Sequence, residues 1–200
     1  MKIDFDKGNG LVPVIVQNFD TAQVLMLGYM NETALAASRE TGLVTFYSRS
    51  RQCLWCKGET SGNSLHIVDM SVDCDGDTLL VRARPAGPTC HLGTLSCFGD
   101  TQPTGFGFLA ELGALIEARK KADPESSYTA KLLQGDLSRL AQKVGEEGVE
   151  TVIAALAQSN DELVGEAADL LYHLMVLLAA RELDLTDVIE RLMARHQVTL

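Results

Sequence analysis

Gly99-Asp100-Thr101-Gln102-Pro103-Thr104-Gly105-Phe106-Gly107 is the stretch of this 200-residue chain where the hydrophobic period changes. Glycine, proline and small polar residues dominate it, the composition of a connection rather than of an element, and residues 99–105 read as a linker. Upstream the apolar residues come in short alternating or β-branched runs, at 12–16, 22–26, 43–47, 65–72 and 78–83. Asn18-Phe19-Asp20 and Asp75-Gly76-Asp77 punctuate them, and one helical stretch at 31–41 has Asn31 as its N-cap. Downstream the spacing turns helical. Phe108, Leu109, Leu112, Leu115 and Ile116 repeat at three and four, and so do Leu132, Leu133, Leu137, Leu140, Ala141 and Val144. Further helices are expected at 142–158, 161–181 and 186–196, with Asp123-Pro124 and Ser159-Asn160-Asp161 as breaks. The expected architecture is therefore multidomain: a β-rich α+β domain over 1–104, then an all-α domain over 105–200.

Charge and cysteine usage follow the same division. The chain carries a net charge of -10, of which -3 lies before residue 105 and -7 after it, while all five cysteines lie before it. An acidic surface argues against a nucleic-acid partner and against anionic membranes, and points to metal ions and, through them, to phosphorylated small molecules. Met1-Lys2-Ile3-Asp4-Phe5-Asp6-Lys7 has no apolar signal core. The greasiest stretch, 170–180, is too short for a membrane span and contains His173, so a cytoplasmic protein is expected.

The sharpest cluster in the first half is Asp73-Cys74-Asp75-Gly76-Asp77. On an extended strand the three carboxylates share one side, offering hard oxygen ligands to a magnesium-type ion, and Cys74 faces the other way. An EF-hand is excluded, because Thr78 stands where glycine is needed and Arg84 where glutamate is needed. Cys74 is joined by Cys90, in Pro88-Thr89-Cys90-His91, and by Cys97, in Leu95-Ser96-Cys97-Phe98. Three thiolates with an open fourth position describe a catalytic zinc; three small buried residues beside a solvated acidic turn is the blander reading of the same spacing. Cys53-Leu54-Trp55-Cys56 has the form of half a zinc ribbon or a redox pair, but no second such pair follows, and it reads as incidental.

The segments Ser48-Arg49-Ser50-Arg51, Leu54-Trp55-Cys56-Lys57-Gly58-Glu59-Thr60-Ser61-Gly62-Asn63, Asp73-Cys74-Asp75-Gly76-Asp77-Thr78-Leu79-Leu80 and Gly87-Pro88-Thr89-Cys90-His91, on through Ser96-Cys97-Phe98, resemble phosphoribosyl-AMP cyclohydrolase. The resemblance implies zinc on Cys74, Cys90 and Cys97, magnesium on Asp73, Asp75 and Asp77, and a zinc site shared between the two subunits of a homodimer. It implies hydrolytic opening of an adenine ring between N1 and C6, with His91 moving protons, a role open to an imidazole. Arg49, Lys57, Glu59 and Ser61 become candidate substrate contacts, the cations for phosphate. Cys53 and Cys56 lie outside that pattern.

In the second half, Glu146-Glu147-Gly148-Val149-Glu150 and Glu166-Ala167-Ala168-Asp169 fall on successive predicted helices. Glu147 with Glu150, and Glu166 with Asp169, are spaced i, i+3, so each pair shares a helix face, where like charges repel unless a cation lies between them. Leu170, Leu171, Leu174 and Met175 turn the second of these helices toward a core, where unpaired carboxylates are expensive. Two such pairs across a helical hairpin point to a metal site, and Lys143 is one turn away. This pattern resembles the all-α MazG-type nucleotide pyrophosphatases. Ser127-Tyr128-Thr129-Ala130-Lys131-Leu132 with Lys143-Val144-Gly145-Glu146-Glu147-Gly148-Val149-Glu150 resembles phosphoribosyl-ATP pyrophosphohydrolase more specifically. The resemblance implies Mg²⁺-dependent cleavage between the α- and β-phosphates, with Glu147 and Glu150 catalytic and Tyr128, Lys131 and Lys143 in contact with substrate. His173 reads as a satisfied helix histidine, and His66 and His196 receive no role.

The order of the two resemblances matches the fused enzymes of histidine biosynthesis, which implies phosphoribosyl nucleotides as substrates. Two rivals remain at this level. One is a general nucleotide pyrophosphatase carrying a zinc-stapled dimerisation domain; the other is a non-enzymatic zinc-stapled module, which leaves the aspartate trio without a purpose.

Overall fold

The computed structural model describes residues 3–99 and 103–196, so the central residues of the expected linker, 100–102, lie outside the described residues. The chain separates into two compact units between Leu109 and Ala110.

In the first unit, β1 (Val12–Asn18) and β2 (Val24–Met30) form an antiparallel pair. α1 (Glu32–Thr41) follows, then a separate two-stranded sheet of β3 (Thr45–Ser48) and β4 (Cys53–Cys56), and then β5 (Leu65–Val72) and β6 (Leu79–Pro85). The larger sheet has the order β2-β1-β6-β5, with β1 and β6 parallel and β5 and β6 antiparallel. Period-two alternation aims Val12, Val14 and Val16 of β1 and Leu79, Val81 and Ala83 of β6 into one core. Phe46, Leu25, Met30, Leu35 and Leu65 complete it. The Asn31 side chain caps α1 by accepting from the Ala34 N–H at 2.8 Å. Gly42 ends the same helix at φ 70°. The sequence pattern does not predict β4 as a strand.

The second unit is helical: α2 (Gly107–Arg119), which begins before the division, α3 (Tyr128–Leu133), α4 (Leu137–Ala157), α5 (Asn160–Ala180) and α6 (Leu185–His196). The helical spacing across 132–144 predicts one continuous element. The chain instead breaks at 134–136, because Asp136 caps a new helix by accepting from the Ser138 N–H at 2.9 Å. α4 and α5 form a hairpin whose second arm opens on a full capping box: the Ser159 side chain accepts from the Glu162 N–H, and Glu162 accepts from the Ser159 N–H. The buried residues of this hairpin include two polar ones, Glu147 and His173, beside Leu140, Ala154, Met175, Val176 and Ala179.

α5 corrects one expectation. Its 21 residues are long and apolar enough to cross a membrane, although the apolar stretch within it reads as too short. Its Glu166 lies among carboxylates of α4, and its His173 faces Tyr128 of α3 and Glu147 of α4, as described below, and that is the behaviour of a packed bundle helix.

Candidate active sites

Asp73–Asp77 is not an extended strand, which corrects the sequence reading. It is the reversing turn between β5 and β6, with Gly76 at φ 84°. A glycine flanked by aspartates favours this reversal, because Asp73 Oδ1 can accept from three backbone N–H groups at once: Gly76 at 3.1 Å, Asp77 at 3.0 Å and Thr78 at 3.0 Å. Those bonds, the one from Thr78 foremost, hold the Asp73 carboxyl below the usual carboxylate range. The turn still gathers the trio, with one oxygen each from Asp73, Asp75 and Asp77 lying within 4.8 Å of one another. Lys7 reaches them from the N-terminal segment. Its ammonium donates to the Asp75 carbonyl at 2.8 Å and to Asp75 Oδ2 at 3.0 Å, and lies 3.7 Å from Asp77 Oδ2. Nothing in the sequence signals this contact, which spans 68 residues.

The cysteines divide. Cys90 and Cys97 both line a cavity of about 540 Å³, together with Trp55, Lys57, Ser61, Thr89 and His91. Cys74 stands exposed on the aspartate turn, and among the described residues the three thiols do not converge. The Leu92 backbone N–H, then the Thr94 hydroxyl, pulls the Cys90 thiol below its ordinary value. Desolvation, with the Cys90 charge second, pushes Cys97 up. Lys57 is no surface cation: it is 7% exposed and donates to the Asn63 carbonyl at 3.1 Å. Burial lowers its pKa, against the pull of the Cys97 and Cys90 charges. His91 is exposed, with Nδ1 3.9 Å from the Cys90 sulfur. Glu59 accepts from the Cys56 N–H at 3.2 Å and Ser61 from the Asn63 N–H at 3.3 Å, so both brace the loop beneath the cavity. Thr89 has a buried hydroxyl without a hydrogen-bond partner.

A second cavity, of about 420 Å³, shares Met26 and Trp55 with the first and is lined by Gly28, Tyr29, Ser48, Arg49 and Ser50. The Arg49 guanidinium stacks 3.7 Å from the centre of the Tyr29 ring. That stacking fixes the guanidinium plane while leaving its donors free. Cys53 and Cys56, three apart on β4, project to opposite faces and cannot chelate one ion together.

In the helical unit, Glu147 on α4 is buried, and one oxygen each from Glu147, Glu150 and Glu166 falls within 4.8 Å of the others. Asp169 is not brought into that set; its backbone carbonyl instead accepts from His173 Nδ1 at 2.9 Å. Burial, reinforced by the Glu147 and Glu166 charges, raises the Glu150 pKa, as expected for a carboxylate crowded by its own kind. Lys143 lies 3.1 Å from Glu146 Oε2 and 3.5 Å from Glu147 Oε1, and Glu146 in particular raises its pKa. The Tyr128 hydroxyl on α3 is 3.3 Å from His173 Nε2. Lys131 on the same helix and His196 at the end of α6 are exposed. His173 exceeds its expected part as a satisfied helix residue, since it also lies 3.6 Å from Glu147 Oε1.

Comparison with known proteins attaches a chemistry to each unit. The phosphoribosyl-AMP cyclohydrolase family model matches residues 26–99, and the phosphoribosyl-ATP pyrophosphohydrolase model matches 109–196. The histidine biosynthesis bifunctional protein HisIE of Escherichia coli strain K12 is 58% identical over 196 residues, covering 98% of this chain and 96% of that protein. The HisIE proteins of Xanthomonas axonopodis pv. citri and Xylella fastidiosa are each 57% identical over 196 residues, covering 98% of this chain and 93% of theirs. The chain belongs to the HisIE family of bifunctional histidine-biosynthesis proteins. As in other HisIE proteins, two hydrolases follow each other along one chain. The helical unit converts phosphoribosyl-ATP to phosphoribosyl-AMP and pyrophosphate, and the β-rich unit opens the adenine ring of phosphoribosyl-AMP between N1 and C6. The rival reading as a general nucleotide pyrophosphatase with a stapled dimerisation domain gives way to this one.

Proposed function

We propose that ring opening takes place in the Cys90–Cys97 cavity and is completed by Cys74 of a second copy. The observation that carries this is the division of the cysteines, two meeting at the cavity and the third standing apart on an exposed turn. Leu92 and Phe98 are 77% and 66% exposed beside those two thiols. They supply apolar surface for the second copy to cover. The donor set, thiols with one already depressed, fits zinc, which when bound supplies a Lewis acid that makes water nucleophilic at neutral pH. His91 takes a proton from the attacking water and returns it to N1 as the N1–C6 bond breaks, leaving C6 as the carbonyl of an amide. Lys57 balances the thiolate charge from below the cavity. Arg49, held flat by Tyr29, grips a phosphate in the adjoining cavity, with Ser48 and Ser50 beside it.

Asp73, Asp75 and Asp77 fit a magnesium ion, a reading supported by the Lys7 ammonium that lies among their oxygens. In the helical unit Glu147, Glu150 and Glu166 fit a second magnesium site, with Asp169 an additional ligand only after its side chain turns inward. When bound there, magnesium would supply positive charge to offset that of the phosphates. Glu150, gathered with Glu147 and Glu166, accepts a proton from the water that attacks the α-phosphorus as pyrophosphate leaves. Tyr128, Lys131 and Lys143 line the approach for the phosphoribosyl nucleotide. Five free cysteines fit a reducing compartment, and we place the protein in the cytoplasm.

One assay tests the assignment. Purified protein with Zn²⁺ and Mg²⁺ is given phosphoribosyl-ATP while pyrophosphate release and the ultraviolet change of ring opening are followed. C90A is expected to abolish only the second signal. E150Q is expected to abolish the first and, when phosphoribosyl-AMP is supplied directly, to spare the second. Loss of both activities from either variant in folded form contradicts two separate sites.

A further inference from the structure

We infer that His173 is a positioning residue for pyrophosphate release, joining the Tyr128 hydroxyl to the Glu147 carboxylate at the junction of α3, α4 and α5. This rests on the carboxylate site proposed above. His173 is 6% exposed, and both of its ring nitrogens are engaged. The Asp169 carbonyl can only accept, so Nδ1 carries a proton; in the neutral ring Nε2 then accepts from the Tyr128 hydroxyl. The same Nδ1–H edge lies 3.6 Å from Glu147 Oε1, the most buried oxygen donor of the carboxylate set. Tyr128 and Tyr172 close on the ring edge-on, at 6.4 and 5.1 Å between centroids. The imidazole therefore has little room to turn.

α3 has only six residues and carries both Tyr128 and Lys131. So short a helix does not hold its own register, and its place depends on tertiary contacts. Two adjacent links supply them, Tyr128 to His173 and Thr129 to Tyr172, the latter at 2.8 Å. The second keeps α3 docked when the first is removed. Loss of His173 is therefore expected to free the Tyr128 hydroxyl and to leave the Glu147 carboxylate with Lys143 but without the imidazole, while the helix stays docked, which costs rate rather than folding.

The test uses the full chain, with ring opening of phosphoribosyl-AMP as an internal measure of integrity. H173A is expected to lower kcat for pyrophosphate release about 10- to 100-fold, the cost of a misplaced reacting group, with ring opening within about twofold of the parent. A glutamine amide reaches the depth of Nε2 and keeps the hydrogen bond to Tyr128, the shorter of the two contacts, so H173Q is expected to recover most of the rate, whereas H173N, which reaches only the depth of Nδ1 and keeps only the longer approach to Glu147, is not. Y128F is expected to slow the parent but to change H173A by less than about twofold, because the two side chains act as one unit. Equal rates in H173Q and H173N, or full additivity of Y128F and H173A, overturns the inference. If H173A fails to fold, the comparison of H173Q with H173N decides alone. A failure of E150Q to stop pyrophosphate release would instead count against the carboxylate site itself.

Discussion

Gly28 is a residue whose lack of a side chain has a measurable consequence. A Cβ placed there meets Cδ1 and Cε1 of Phe46 at 2.4 Å, and Phe46 is among the largest fully buried side chains of the β-rich core. G28A is therefore expected to cost about 1–3 kcal/mol by overpacking, read from urea denaturation, and to shrink the cavity that holds Arg49. A stability equal to the parent's would mean that the Phe46 ring has room to withdraw. Lys7 allows a second prediction at this scale. Its ammonium shares Asp75 and Asp77 with any ion bound at the turn, and Asp75 in particular raises its pKa. Because the pair is solvated, its hold is weak. K7M is expected to tighten Mn²⁺ binding at the turn about two- to fivefold by titration calorimetry. Unchanged affinity would show that the ion does not use the oxygens Lys7 occupies.

Elements are legible where period and caps agree, and less so where they do not. The run 65–72 alternates and is bounded by turn residues, and β5 has those ends. Asn31 and Ser159 mark true helix starts. β4 is missed because Cys-Leu-Trp-Cys shows no alternation of burial across its four residues. The break between α3 and α4 is missed because leucines keep their helical spacing across it while Asp136 does the capping. The aspartate trio and three of the four helical carboxylates, Glu147, Glu150 and Glu166, can be picked out from residue type and spacing, but local sequence carries no information on partners that arrive from elsewhere. The Lys7 contact, the separation of Cys74 from its fellow cysteines and the burial of Lys57 are all set by topology.

The caps also carry a pH dependence at this scale. Bonds from the Ser138 and Ser159 N–H groups lower the pKa of Asp136 and Glu162 in the folded chain. A carboxyl depressed by folding stabilises above its unfolded pKa, and that contribution is lost as pH falls through the folded value. The destabilisation caused by D136A, measured by denaturation at neutral pH, is thus expected to shrink steadily once pH drops below the ordinary carboxylate range. A penalty independent of pH would assign the cap to packing alone.

At the scale of the whole molecule, two compact units each carry a cluster of carboxylates, and the cavity of the β-rich unit gathers two of the three candidate thiols, Cys90 and Cys97. If a second copy supplies Cys74, each ring-opening site draws Cys74 from one chain and Cys90 with Cys97 from the other, as a two-fold interface allows. C74A and C90A homodimers are then both inactive in ring opening. In a hybrid of the two, one site combines intact Cys74 from the C90A chain with intact Cys90 from the C74A chain, and the other site takes both substitutions. Denatured and refolded together in equal amounts, random pairing makes about half the dimers hybrid, each with one working site of two, so about a quarter of the parental ring-opening activity should return. Pyrophosphate release should stay at the parental level in each variant and in the mixture, which separates failed complementation from failed refolding. Should ring opening stay at zero while pyrophosphate release is intact, all three thiols must come from one chain, and the turn bearing Cys74 must then move to the cavity within it.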